Sequence, residues 1–394
     1  MELSDLPIEL LEMIVERCDY KSRISLNTTS TLMHHLADTA KLFIPCVTVH
    51  ERHRGVRVGV LISKRENYVL TYTDVRKNWI TPRKTRITQF YKADVYDERN
   101  TSAELATKFL SRVCFKKNVT IGFLSVRTVF NAKTKLAAEL QKMFENTGSN
   151  PLKIETIHWK RFGENTALFD VFMNNCQPIE LKYLLVNSRS NSVDLFTKHR
   201  TVISSLEKLE VFGDLDATED DILGLRARVL HLTSDCFTNN LVQKLVDKLI
   251  QEDVPDSRFV MKRQETGLTL ENIPKQFDRI PRYVPTFVKY SADRQKRVII
   301  STGSSGCHVE VENIQNYWYF EDDLMDSYQA ERRDTCVNNA ITCWCYKPKI
   351  CIEEGDDFCE GICFYDDSDE SMNSENEGDC NGLFGNFDYT VFRL

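Results

Sequence analysis

The sequence predicts a mixed α/β protein with a helical N-terminus, a middle region in which strands and helices alternate, and an acidic C-terminal tail. Residues 6–15 read LPIELLEMIV and carry seven apolar side chains at helical spacing. Four similar strand-like segments recur between residues 152 and 234, with helix-like segments between them. Residues 353–380 hold twelve acidic side chains and no lysine or arginine, so they cannot build much core and are predicted to be disordered.

The first helix is predicted to begin near Leu6, because Ser4 and Asp5 favour a helix start and Pro7 fits the first turn. At about 100° per residue, its apolar side chains cover an arc of roughly 220°. A surface helix packed on one core needs an arc of about 100° or a little more. We therefore expect the helix to be buried twice, against the protein's own core and against a partner. The alternative is a helix enclosed within a single domain.

Residues 6–38, LPIELLEMIVERCDYKSRISLNTTSTLMHHLAD, resemble the F-box, a small module of three short helices. The resemblance implies that this segment docks on the Skp adaptor of a cullin–RING ubiquitin ligase. It also implies that the rest of the chain holds a protein substrate near the ubiquitin-loaded enzyme. Leu6, Pro7, Leu10 and Ile14 match positions that the family places at the adaptor interface.

The middle of the chain predicts an array of short alternating strands, each followed by a helix. The strands are LKIETIHW (152–159), LKYLLVNS (181–188), LEKLEVFG (206–213) and ARVLHLTS (227–234); the helices are TALFDVFMNN (166–175), SVDLFTKHRTVISSL (192–206), TEDDILGL (218–225) and TNNLVQKLVDKLIQE (238–252). A strand and a helix in every 20–30 residues or so is typical of a leucine-rich-repeat-like solenoid, whose strands form one parallel sheet. A compact α/β domain with parallel strands would give a similar pattern.

The order of these parts resembles the F-box proteins with an F-box-associated domain that are expanded in nematodes. In that group a β-hairpin often closes the array, and QKRVIISTGSSGCHVEVENIQNYWYFE at 295–321 has two alternating runs around a turn-forming TGSSG. The predicted domains are an F-box at 1–44, a small mixed β segment at 45–110, an F-box-associated repeat-like domain at 111–325 and a cysteine-rich acidic tail at 326–394.

Residues 52–92 form a basic stretch, with eleven lysines and arginines against two acids. Tyr68, Tyr72, Trp79, Phe90 and Tyr91 are interleaved with the basic residues, a pattern that can bind nucleic acid through phosphate contacts and base stacking. The more common structure is a sheet with one solvated basic face. An acidic segment of a substrate, or the chain's own acidic tail, is then at least as good a candidate partner for this face as nucleic acid.

The thirteen cysteines do not predict a metal site. Seven of them fall between Cys336 and Cys380, and only Cys359 and Cys363 have the gap of a zinc knuckle. His308 is the nearest upstream histidine. We predict a tail with reduced thiols and no metal, with a structural zinc site as the alternative.

No enzyme signature appears in the chain, which lacks the phosphate-binding, zinc-protease, nucleophile-elbow and dinucleotide motifs. Cys236, Asp235 and His231 are close in sequence, but nucleophilic sites usually assemble from distant segments. We therefore predict no catalytic residues and no cofactor. The chain also lacks an apolar run long enough to span a bilayer and a secretory signal, which favours a cytoplasmic or nuclear protein.

The sequence thus predicts a non-catalytic, substrate-recruiting F-box subunit of a ubiquitin ligase. Candidate substrate-binding positions are His158, Lys160, Asn187 and His231, which are expected on the exposed face of the strands in 152–234. The rival is a repeat-type binding scaffold without a ligase, which a weakened adaptor interface would favour; Cys18 stands where the F-box family commonly has leucine. A nucleic-acid-binding protein that uses residues 52–92 is a more distant alternative.

Overall fold

The computed structural model describes residues 6–63, 66–75, 84–89, 95–128, 135–146, 151–162, 166–188, 194–213, 215, 217–233, 238–252, 257–262, 278–280, 286–290, 296–303 and 306–313. All of these lie in one compact unit that spans residues 1–330. The acidic tail and the cysteines from Cys336 onward lie outside the described residues, so the predictions made for them stay predictions.

Nine helices and fifteen strands occur in the described part of the chain. The helices are α1 (Ile8–Arg17), α2 (Tyr20–Asn27), α3 (Thr31–Thr39), α4 (Ser102–Val113), α5 (Leu136–Asn146), α6 (Ala167–Asn175), α7 (Phe196–Ser204), α8 (Glu219–Leu223) and α9 (Asn239–Glu252). The strands are β1 (Leu42–Arg52), β2 (Gly55–Ser63), β3 (Glu66–Val75), β4 (Lys84–Gln89), β5 (Val95–Asp97), β6 (Val119–Arg127), β7 (Lys153–Phe162), β8 (Tyr183–Ser188), β9 (Lys208–Phe212), β10 (Val229–Thr233), β11 (Arg258–Lys262), β12 (Asp278–Ile280), β13 (Thr286–Tyr290), β14 (Lys296–Gly303) and β15 (Gly306–Asn313).

The strands form one mixed sheet in the order β12-β13-β14-β15-β11-β10-β9-β8-β7-β6-β1-β2-β3-β4-β5. From β6 to β11 the strands are parallel and follow each other in chain order, with one helix between each pair. β1 joins β6 in parallel, and β2 to β5 continue the sheet as an antiparallel meander. The segment predicted as a separate small β region therefore belongs to the same sheet as the strand–helix array.

One face of the sheet carries an apolar row that runs across seven strands. Its members are direct neighbours in register and all are buried: Val58, Val49, Val126, Trp159, Val186, Val211 and Leu232. The Trp159 ring meets Phe169 and Phe172 of α6 edge-on, at centroid distances of 5.0 and 6.1 Å. Helix α6 therefore packs on this face. Crossovers between parallel strands are right-handed as a rule, and strands that follow each other in one direction then have their connecting helices on the same side.

The local pattern located the middle of the fold correctly. The four predicted strands correspond to β7–β10, and the four predicted helices to α6–α9. The predicted terminal hairpin is confirmed as β14 paired with β15, with Gly303 opposite Gly306 as the last pair. The leucine-rich-repeat-like class of the array stays a prediction, whereas the mixed α/β class is confirmed.

Candidate functional site

The three N-terminal helices share a small hydrophobic core of their own. Its buried members are Leu11, Val15, Met33, Leu36 and Ala40, and the partly buried side chains around it are Leu6, Leu26 and Ala37. α1 contributes only Leu11 and Val15 as fully buried side chains. The buried stripe of this helix is therefore much narrower than its apolar arc.

The remaining apolar side chains of α1 face solvent. Ile8, Leu10, Met13 and Ile14 are 48%, 45%, 49% and 37% exposed, and we call these four the apolar patch. Leu32 on α3 and Phe43 at the start of β1 are also exposed. These residues make up six of the ten large exposed apolar side chains in the described part of the chain. All six fall within residues 8–43, and a concentration of exposed apolar side chains is typical of a partner-binding surface.

A groove of about 380 Å³ opens between the helices beside the apolar patch. Ile14 lines it from α1, Cys18 from the residue that follows α1, Ser22 and Leu26 from α2, and Met33 from α3. Ile14 therefore belongs both to the patch and to the groove. The two features form one continuous, largely apolar surface.

A buried arginine ties the ends of α1 and α3 together. The Arg23 guanidinium on α2 donates to the carbonyl oxygens of Glu16 at 2.7 Å, Cys18 at 3.1 Å, Lys41 at 2.8 Å and Ala40 at 3.5 Å. These carbonyls lie at or just beyond helix C-termini, where intrahelical donors are missing. Burial lowers the pKa of Arg23, yet the four acceptors keep the cation well solvated by protein groups.

The helical module is anchored directly to the sheet. The carboxylate of Glu66, at the start of β3, accepts from the backbone N–H of Tyr20 at 3.2 Å and of Lys21 at 2.9 Å. It thus caps the N-terminus of α2, where free N–H groups and the helix dipole favour an anion. The Tyr20 ring meets Tyr68 of β3 edge-on at 6.2 Å. The orientation of α2 is therefore fixed by the sheet.

Replacing Glu66 by Gln is expected to loosen α2, since an amide has one acceptor oxygen and no charge to offer the two N–H groups. We expect a local loss of about 1 kcal/mol, read as faster hydrogen–deuterium exchange in residues 20–27. Glu12→Gln, at an exposed position on α1, serves as the control and should leave exchange in α2 unchanged. Equal exchange in the two variants would contradict the anchoring role of Glu66.

The four predicted adaptor-binding residues differ in exposure. Leu10 and Ile14 lie in the apolar patch. Pro7 is exposed and is the residue that precedes α1, whereas Leu6 packs partly against the helical core. The prediction did not include Ile8 and Met13, although the wide apolar arc of the sequence contained the signal for both.

The four predicted substrate-binding residues all lie on the face of the sheet opposite the apolar row. Lys160 and Asn187 are direct neighbours on β7 and β8, and Lys160 is exposed. His158 lies two residues before Lys160, half-buried against the Phe123 ring at 6.1 Å. Burial and the charge of Lys160 lower its pKa to about 3, so His158 is neutral at physiological pH. His231 packs against Phe212 at 4.5 Å, farther along the sheet.

The basic stretch does not present all of its aromatic residues for base stacking. Tyr68 and Tyr72 are only 5% and 4% exposed and lie on the helix-covered face, opposite the neighbouring arginines of the stretch. Trp79, Phe90 and Tyr91 lie outside the described residues. For the described tyrosines the pattern of basic and aromatic residues thus reflects the two faces of a sheet.

No cluster of histidine, cysteine and acidic side chains that could hold a metal ion occurs among the described residues. His308, the histidine considered for a zinc site, accepts from Arg258 Nε at 3.1 Å and lies 3.4 Å from Glu310. Cys236 and Asp235 lie outside the described residues. No helix in the described part of the chain is long and apolar enough to cross a membrane.

Comparison with known families identifies the N-terminal module. The F-box domain matches residues 3–45, which span the three helices and the first residues of β1. No curated protein and no solved structure matches the chain significantly. The chain therefore carries an F-box domain, and the family match coincides with the module that exposes the apolar patch.

Proposed function

We propose that this F-box protein is a substrate-recruiting subunit of a Skp–cullin–F-box ubiquitin ligase, working in the cytoplasm or the nucleus. F-box domains bind the Skp adaptor and thereby reach the cullin–RING ligase. The observation that carries the proposal is the apolar patch: four exposed apolar side chains on α1, inside the matched domain and beside an apolar groove.

In this proposal the adaptor covers the apolar patch and the neighbouring groove. Leu10 and Ile14 are the central apolar anchors of this interface. Pro7 contributes at the start of α1, and Leu6 supports α1 by its partial packing against the helical core. Anchors of this kind contribute most of the binding free energy when a polar rim excludes water around them. Glu9, Glu12 and Glu16 on the same helix are exposed and provide such a rim.

The rest of the chain is proposed to hold the substrate. The sequential parallel order of β6–β11 supports the leucine-rich-repeat-like interpretation, in which the helix-free face of the strands forms an extended binding surface. The chain itself performs no bond chemistry here. It raises the effective concentration of the substrate near the ubiquitin-loaded enzyme, which makes the transfer nearly intramolecular.

The anchoring of the F-box to the sheet supports this mechanism. Glu66 of β3 holds α2 by charge-assisted hydrogen bonds, and the Asn118 side chain, next to the start of β6, donates to the carbonyl of Ala40. Lys116 and Asp38 add an ion pair between the same two parts. A substrate on the sheet would therefore be held at a defined distance from the adaptor.

The test is a pull-down of the full chain with purified Skp adaptor. We expect a stoichiometric complex that survives moderate salt, because an apolar interface is only weakly screened. The control is the adaptor with an unrelated protein of similar net charge. Failure of the wild-type chain to bind would overturn the ligase proposal and favour the scaffold without a ligase.

A further inference from the structure

A row of basic side chains crosses the face of the sheet opposite the apolar row. Arg57 on β2 faces His50 on β1, which faces Arg127 on β6, which faces Lys160 on β7. We call these four residues the basic row. Consecutive members of the row lie on adjacent hydrogen-bonded strands, which are about 4.8 Å apart. The row of four residues is therefore about 15 Å long. None of the four is buried.

The composition of this row is unusual for a sheet. Arg127 and Lys160 are like charges on directly opposite positions of neighbouring strands, an arrangement that by itself disfavours the pairing. On β1, β6 and β7 each member of the basic row comes one residue after a member of the apolar row. The alternation of side chains along a strand therefore explains why the basic side chains lie on the opposite face, but it does not explain why they are basic. Threonine and asparagine continue the same line at Thr71 and Asn187 without adding charge.

Groups next to the basic row indicate a positive electrostatic potential there. The charge of Lys160 contributes to the low pKa of His158, after burial, and it counteracts the effect of burial on the Cys46 thiol. Arg52, two residues beyond His50 on the same face, has a buried Nε with no hydrogen-bond partner within the described residues. A buried N–H donor of this kind favours an acceptor from outside the chain.

We propose that the basic row binds an acidic segment of a partner polypeptide, which makes it part of the substrate-binding surface. Charge complementarity supports this occupant, because the three permanent cations Arg57, Arg127 and Lys160, with His50 between two of them, suit carboxylates on an extended chain. Nucleic acid is less well matched: Tyr68 and Tyr72 face away from the row, and the whole chain carries a net charge of -7. This inference rests on the proposed recruiting function, and it adds that the recruited substrate carries an acidic segment.

The experiment measures binding of the full chain to a fluorescein-labelled peptide of repeated Glu-Ser-Asp-Gly units by fluorescence anisotropy. We expect binding that weakens as salt rises, and no binding of the matching Gln-Ser-Asn-Gly peptide. The variant Arg127→Glu/Lys160→Glu is expected to weaken binding by about tenfold or more. The matched control Lys135→Glu/Lys142→Glu makes the same change in net charge at exposed positions at and near α5 and should leave the affinity unchanged.

A second variant, Arg127→Gln/Lys160→Gln, removes the two positive charges without adding acids, so it should bind the acidic peptide more weakly than the wild type for lack of charge alone. Equal affinity in wild type and both row variants would overturn the proposal. So would tighter, row-dependent binding of an oligothymidylate of equal charge, which would assign the row to nucleic acid. Adaptor pull-down with the same variants separates the two proposals, since the adaptor contact lies on α1 and should persist.

Discussion

Replacing Leu10 and Ile14 together by aspartate is expected to abolish binding of the Skp adaptor while the chain remains folded. Both side chains are partly exposed on α1 and neither belongs to the buried helical core, so aspartate can turn toward solvent. Its intrinsic cost to the helix is below about 1 kcal/mol per residue. At the interface, each buried apolar side chain contributes about 1.5–3 kcal/mol, and an unpaired carboxylate adds a desolvation penalty. We therefore expect a loss in affinity of about a hundredfold or more.

The measurement is a pull-down or a calorimetric titration with purified adaptor. Val95→Asp/Tyr96→Asp is the matched control, because these neighbouring side chains on β5 are also large, apolar and 42% and 54% exposed. The control should bind the adaptor as the wild type does. Wild-type affinity in the Leu10/Ile14 variant would mean that the adaptor contacts a different surface from the apolar patch.

Replacing Arg23 by alanine is expected to unfold the helical module locally. The substitution removes the donors of four carbonyl oxygens at the ends of α1 and α3 and leaves a gap beneath them. An unsatisfied buried acceptor costs about 1–3 kcal/mol, and water entering the gap recovers part of that sum. We expect the free energy of unfolding of residues 8–39 to fall by about 3 kcal/mol.

Hydrogen–deuterium exchange across α1, α2 and α3 measures this effect, with the strands β7–β9 as an internal reference. Arg17→Ala is the matched control, because Arg17 is an exposed arginine in the last turn of α1. Adaptor binding should weaken in the Arg23 variant, since α1 would no longer be held in place. If both arginine variants exchange alike, water replaces the guanidinium without loss and Arg23 has no such role.

The strands and helices of the middle region could be predicted because their pattern is local. β7–β10 are short apolar-rich runs, alternating with polar side chains in β9 and continuous at the start of β8, and α6–α9 repeat apolar residues at helical spacing. The same reasoning missed α4, even though Thr101 and Glu104 form a reciprocal N-terminal cap at 3.3 and 2.7 Å. The threonine and the glutamate at this spacing in the sequence were the available signal.

The candidate surface could be predicted only in outline. The wide apolar arc of residues 6–18 indicated two buried faces, but it did not show which apolar side chains belong to the protein's own core and which to the partner-binding face. Packing assigned Leu11 and Val15 to the protein's own core, and it left Ile8 and Met13 outside beside Leu10 and Ile14. Arg23 reads as an ordinary helical arginine, because the carbonyls that it satisfies come from two other helix ends.

The sequence by itself determined the mixed α/β class, the N-terminal module, the strand–helix alternation and the closing hairpin. Each of these depends on side chains within one short segment, whose period is fixed by backbone geometry. Only the tertiary structure decided that β1 pairs with β6, and hence that His50 stands beside Arg127. Pairing between distant segments depends on the register and packing of the whole sheet. A surface assembled from four strands therefore cannot be predicted from the sequence of any one of them.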